Sequence, residues 1–155
     1  MYDKINTLQQ VKTIVELNNE ELDLVDTTIF LGITLDAKLQ WGPHINNLAN
    51  RLSSAAYAVK KIRHMTKIET ARLVYFSYFH SIMSYGILLW GNAADIDSIF
   101  VLQKMAVRAI HKKGPRESLR DKFKEVKIMK VHSQCIFENF IYVHKNITKF
   151  KKKMD

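Results

Sequence analysis

Before residue 42 the apolar positions fall in short runs of period two, and after it they fall at helical spacing. Strands are predicted at 13–17 and 21–25, around Asn18-Asn19-Glu20. In the second, Leu22 and Leu24 alternate with Glu21 and Asp23, a pattern that buries one face and wets the other. Asn tolerates positive φ, so Asn18-Asn19 suits a hairpin turn. A third strand is predicted at 29–35, with Leu31, Ile33 and Leu35 on one face. Gly32 lies between them, where a neighbouring backbone or ligand approaches closely.

Pro43 suits the first turn of a helix. Ile45, Leu48, Ala49, Leu52, Ala55, Ala56, Val59 and Ile62 then predict a helix over 43–64, with Arg51, Lys60 and Arg63 off its apolar stripe. A second helix is predicted from Ile68. Its stretch 73–90 has 18 residues without an acid, Lys or Arg, long enough to raise a membrane span. His80, Ser77, Ser81, Ser84, Gly86 and three tyrosines favour a central helix packed on several sides instead. After the break at Gly91-Asn-Ala-Ala, Asp95 and Asp97 suit a helix N-terminus. Ile96, Ile99, Phe100, Gln103, Ala106, Val107 and Ile110 mark that helix's inner face, and Lys113-Gly114-Pro115 ends it. A short helix near 119–126, a longer one near 133–146 and a frayed basic tail at 149–153 complete the chain. The fold class is α+β, mostly α: a small antiparallel N-terminal sheet over 1–41, then a helical region over 42–155.

Charge sharpens this division. The 155 residues carry a net charge of +9. The segment 103–155 holds 15 of the 24 Lys/Arg but only 5 of the 15 Asp/Glu. Lys104, Arg108 and Lys112 fall at i, i+4 and i+8, a basic stripe on one helix face, and Lys113, Arg116 and Arg120 follow closely. Such residues contact phosphates and give salt-dependent, sequence-indifferent affinity, although a solvated basic face has the same composition. With a single cysteine, Cys135, an internal disulfide is impossible, which fits the cytoplasm or nucleus. The first residues show no basic-then-apolar leader pattern.

Catalytic chemistry is sparse. His132-Ser-Gln-Cys135 has ligand-like spacing, but no second pair completes a four-ligand zinc site. Asp95 with Asp97, and Glu21 with Asp23, are the acid pairs that two-metal chemistry would require. The first fits a helix start and the second the wet face of a strand. No Gly-rich phosphate loop or Gly-x-Ser-x-Gly turn occurs. No catalytic or metal-binding residue is assigned.

The order and spacing of several short motifs resemble a known family. Phe30-Leu-Gly-Ile-Thr-Leu-Asp36, Leu39-Gln-Trp41 and His44-Ile45 are similar to the block that follows the catalytic core of non-LTR (LINE-type) retrotransposon reverse transcriptases, most of all the jockey-like group. The resemblance continues through Tyr78-Phe-His-Ser-Ile-Met-Ser-Tyr-Gly86, Leu89-Trp-Gly-Asn92, Leu102-Gln-Lys-Met-Ala-Val-Arg-Ala-Ile110, Pro115-Arg-Glu-Ser118 and Phe140-Ile-Tyr-Val-His-Lys-Asn146. It implies that 1–41 is the end of the palm and that the helices resemble the thumb, which holds a template–primer duplex by its backbone. Phe30, Leu31 and Gly32 would correspond to a primer-grip-like element.

The family's metal-binding signature, an aromatic residue followed by Ala-Asp-Asp, does not occur in this sequence. The expectation is therefore a polymerase section that is inactive by itself and retains at most residual binding of RNA or an RNA–DNA template–primer duplex. No membrane and no small-molecule substrate are expected. The parent family uses Mg2+, but no cofactor is expected in this section. The alternatives are a domesticated nucleic-acid-binding module and a decayed fragment.

Overall fold

The computed structural model describes residues 15–17, 20–22 and 24–151. The turn expected at Asn18-Asn19, residues 13–14 of the first predicted strand and the tail 152–153 lie outside the described residues. Two separate antiparallel pairs form in place of one three-stranded sheet. β1 (Val15–Leu17) pairs with β2 (Glu20–Leu22), and β3 (Thr27–Phe30) pairs with β4 (Ile33–Asp36). The alternation expected to bury Leu24 fails, because β2 ends at Leu22 and Leu24 is exposed.

The single strand expected over 29–35 is a hairpin. Leu31 and Gly32 have φ of 48° and 78°, and Phe30 pairs with Ile33 across them. Two consecutive positive φ values turn the chain with the twist that flanking strands favour. The turn sends Leu31 outward while Ile33 is buried, so these residues do not share one buried face. Ile33 packs on the left-handed bend at Gly86, where an added Cβ would lie 2.6 Å from Ile33 Cδ1. Tyr85 Oη donates to Leu31 O at 2.7 Å, fixing the hairpin tip to the helices.

α1 (Gly42–Met65) begins where the sequence predicts. The Asp36 carboxylate accepts the N–H groups of Lys38, Gln40 and Trp41 and so folds the β4–α1 connection around itself. These bonds, that of Gln40 foremost, lower the Asp36 pKa. From the predicted stripe, Ile45, Leu48, Leu52, Ala55, Ala56 and Val59 are buried. α1 packs chiefly on α5 (Ile96–Ile110), whose Ile96, Ile99, Gln103, Ala106, Val107 and Ile110 are buried as expected.

The uncharged stretch is a segmented helix buried on one stripe. α2 (Ile68–Val74) runs into a π-helical turn at Tyr75–His80, then α3 (Ser81–Ser84), the Gly86 bend and α4 (Ile87–Trp90). Ala71, Tyr75, Phe79, Met83 and Ile87 are buried at steps of four, while Leu73, Tyr78 and Leu89 are exposed. On an α-helix a four-residue step overshoots a full turn by about 40°. The wider π-helical turn takes up that drift and keeps the stripe facing α1. The stretch packs along α1 and at its two ends on α5 and on the later helix Val131–Lys145, while the flank of Leu73, Tyr78 and Leu89 stays exposed. Among the described residues, no helix is long and apolar enough to cross a membrane.

α6 (Lys122–Glu125), α7 (Val131–Lys145) and α8 (Ile147–Lys151) close the chain, so the tail expected to fray at 149 continues in a short helix. α7 starts earlier than expected because Gln103 caps it. Gln103 Oε1 accepts the Val131 N–H at 2.9 Å, and its Nε2 donates to Tyr75 Oη and to Met129 O, both at 2.9 Å. Gly91 permits the close approach of α7: an added Cβ would meet Ile87 O at 2.4 Å and Cys135 Sγ at 2.5 Å.

His44 sits at the seam between hairpin and helices. Its Nδ1 accepts the Thr34 N–H at 3.3 Å, which leaves the proton of a neutral ring on Nε2, a buried atom without a partner. Burial, reinforced by the Arg51 charge, lowers its pKa. The unfolded chain then binds the proton more readily than the folded one. Stability contributed by neutral His44 is complete above the ordinary imidazole pKa of about 6.5 and is lost as pH falls through the folded value. Urea unfolding at a series of pH values is expected to reveal this loss, and His44→Gln is expected to flatten it. An unchanged pH profile in the variant would assign the effect to other groups.

Candidate nucleic-acid interface

The predicted basic stripe holds for two of its three positions. Lys104 and Arg108 lie on α5, both partly buried, with Lys104 Nζ 4.8 Å from the centre of the Phe100 ring. Lys112 is off the helix. The Lys113 N–H bonds to Arg108 O and the Lys112 N–H to Ala109 O, the paired bonds of a helix stop with Lys112 in the left-handed position. This stop precedes the expected one at Lys113-Gly114-Pro115. Lys113 Nζ pairs with Glu117 Oε2 at 2.6 Å, and Arg116 and Arg120 are exposed on the loop before α6.

The structure adds cations from α1 that the charge pattern did not single out. Lys60, Arg63 and His64 sit at i, i+3 and i+4, and the α1–α5 pairing brings them to the end of α5. With Arg108, Lys112 and Lys113 they line a cleft of about 280 Å³. Lys104, Arg116 and Arg120 do not line it. Arg63 has a structural task there: its Nε donates to Ile110 O and its Nη1 to Thr66 O, both at 2.8 Å, covering the carbonyl ends of α5 and α1. Arg108 Nε is buried without a hydrogen-bond partner. The Glu117 carboxylate accepts the Gly114 N–H at 2.7 Å, and this bond, followed by that from Lys113, lowers its pKa.

Phe30, Leu31 and Gly32 form the tip of the β3–β4 hairpin, where Phe30 is 63% and Leu31 72% exposed. They are no buried sheet edge. Of the acid and thiol candidates, Asp23 lies outside the described residues, Asp97 Oδ1 lies 3.2 Å from His132 Nε2, joining α5 to α7, and Cys135 is buried against Gly91. Asp95 lies outside the first turn's side-chain bonds but accepts the Ser98 N–H through its own carbonyl. Among the described residues, no three His, Cys, Asp or Glu side chains gather as a metal site.

By sequence, the chain is similar to part of a transposon-encoded RNA-directed DNA polymerase. That relative is the probable RNA-directed DNA polymerase from transposon BS of Drosophila melanogaster, 35% identical over 112 residues. The matched region is 68% of this chain and 12% of the relative, so the chain spans a small section of that protein's length. No family profile and no solved structure matches.

Proposed function

We propose that this chain is a section of a non-LTR retrotransposon reverse transcriptase of the jockey-like group. Its residues 1–41 end the palm, and residues 42–155 form a thumb-like region that grips an RNA–DNA duplex by its backbone. The observation that carries this reading is the similarity to the transposon polymerase. The basic surface around the end of α5 supports the duplex grip, because phosphate contacts need cations rather than base-reading geometry. In this reading the exposed hairpin tip at Phe30, Leu31 and Gly32 is the primer-grip-like element. In this reading no carboxylate of the section is assigned to two-metal phosphoryl transfer, which belongs to the part of the parent enzyme that carries the Ala-Asp-Asp signature.

Binding of the purified chain to an RNA–DNA hybrid across a salt series tests this. If Lys104, Arg108, Lys112, Lys113, Arg116 and Arg120 all meet phosphates, affinity falls on the order of a thousandfold between about 50 and 200 mM salt. Charge reversal at Lys104, Arg108 and Lys112 is expected to flatten that slope while circular dichroism stays the same. Primer extension with magnesium is expected to yield no product. A folded chain that does not bind the hybrid, or one that extends primers, overturns the proposal.

One observation favours a second reading, the decayed fragment. Leu24, Val25, Ile29, Phe30 and Leu31 are all more than half exposed. Contiguous exposed apolar residues next to an open strand edge favour aggregation.

A further inference from the structure

The cleft between the ends of α1 and α5 has features that a flat duplex-gripping surface does not need. Five Lys/Arg side chains line it, with His64 and without an acid. They come from two helices and the following turn, so cations surround the space instead of forming one row. Glu117 stands at its rim, bonded to Lys113 and to the Gly114 N–H, and the lining remains strongly positive after that pairing. The carbonyls of the two helix ends, which would repel an anion, are covered by Arg63.

One further observation concerns Arg108. Arg108 Nε is buried and unpartnered, and a buried donor of a charged group without an acceptor costs free energy. Arginine's planar fork is the donor set that matches phosphate oxygens.

We infer that this cleft binds one phosphate dianion, as a terminal phosphoryl group of a nucleic acid or as the free ion. Arg108 supplies the fork, Lys60 and Lys112 close on the oxygens from the two sides, and Arg63 holds the helix ends in place. A dianion complements this charge better than a backbone diester does, and the cleft has room for a phosphoryl group but not for a duplex. The source of the phosphate rests on the nucleic-acid reading above; the pocket does not.

The test compares two 3′-labelled RNA strands of one sequence, with and without a 5′-phosphate, by fluorescence anisotropy on the full chain at fixed ionic strength. Inorganic phosphate is the competitor, and its effect on the melting temperature is measured in parallel. The phosphorylated strand is expected to bind about tenfold tighter, the gain of one charge-assisted contact set, and inorganic phosphate is expected to erase the difference. Arg108→Gln and, independently, Lys60→Ala on exposed α1 are each expected to abolish the preference. A phosphate-induced rise in melting temperature without strand preference assigns the pocket to the free ion. Equal binding of the strands with no such rise overturns the inference, as does a preference that survives in both variants. Absence of all hybrid binding with the end preference retained sinks only the duplex reading.

Discussion

Replacing Gln103 with leucine is expected to destabilise the protein by about 3 kcal/mol or more, although the two side chains are similar in size. Gln103 is fully buried and makes three bonds to three separate pieces of chain: the Tyr75 hydroxyl in the π-helical turn, Met129 O before α7 and the Val131 N–H at the start of α7. Leucine fills the space but leaves these partners without bonds in a dry interior. Each such orphan costs about 1–3 kcal/mol. The Tyr75 ring is itself buried, and burial raises its pKa far above the phenol range, so ionisation offers its hydroxyl no alternative. Urea unfolding of the variant gives the cost directly. A cycle with Tyr75→Phe separates the bond from the packing, because the double variant should lose less than the sum of the two single ones. A loss under about 1 kcal/mol for Gln103→Leu would mean that the neighbouring backbone finds other partners.

Trp90→Ala is expected to cost about 3–5 kcal/mol, the range for deleting a large aromatic ring from a core. Trp90 is fully buried, its Nε1 donates to Tyr85 O at 2.9 Å, and its ring lies 6.1 Å from that of His44. It therefore fills the place where the Gly86 bend, the start of α1 and the hairpin meet. Deletion leaves a void that the Gly86 bend cannot close without unseating Ile33. Trp90→Phe restores most of the volume but leaves the Tyr85 carbonyl unpaired, so its cost should be well below that of alanine. Hydrogen exchange gives a second readout: the β3–β4 amides should lose protection in Trp90→Ala more than those in the middle of α5. Uniform loss across both would mean that hairpin and helices open as one unit. Relative to a typical domain stability of about 5–15 kcal/mol, both substitutions threaten folding outright.

Helical spacing alone located α1 and α5 and their buried faces, since both helices bury one continuous stripe against each other. Gln103 belonged to the inner face of α5 by spacing, but its three partners are tertiary and left no local trace. Period two misled at 29–35. Leu31, Ile33 and Leu35 alternate as in a strand, yet Gly32 is the residue that lets the chain reverse, and its role as a turn depended on Leu31 also taking positive φ. In the central stretch, a run of apolar residues on all sides concealed a buried stripe with a step of four, which a regular α-helix does not keep aligned.

The basic surface was legible only along one helix. Lys104 and Arg108 could be placed by period, but Lys112 is carried off the helix by an early stop. Lys60, Arg63 and His64 reach the same cleft through the pairing of two helices far apart in sequence. The comparison with the transposon polymerase supports the coarse resemblance drawn from the motifs. The palm and thumb assignments rest on the resemblance itself.

The seam at His44 also has an optical consequence. The chain contains two tryptophans, and both rings flank this histidine, Trp41 at 6.3 Å and Trp90 at 6.1 Å. A protonated imidazole beside an indole quenches its emission, and an opened seam exposes the indole to water and shifts that emission to the red. The tryptophan fluorescence of the protein, excited selectively, is therefore a reporter of one place, the joint between hairpin and helices. It needs no label, and it separates a proton arriving at a closed joint, which dims the signal, from the joint coming apart, which changes its colour.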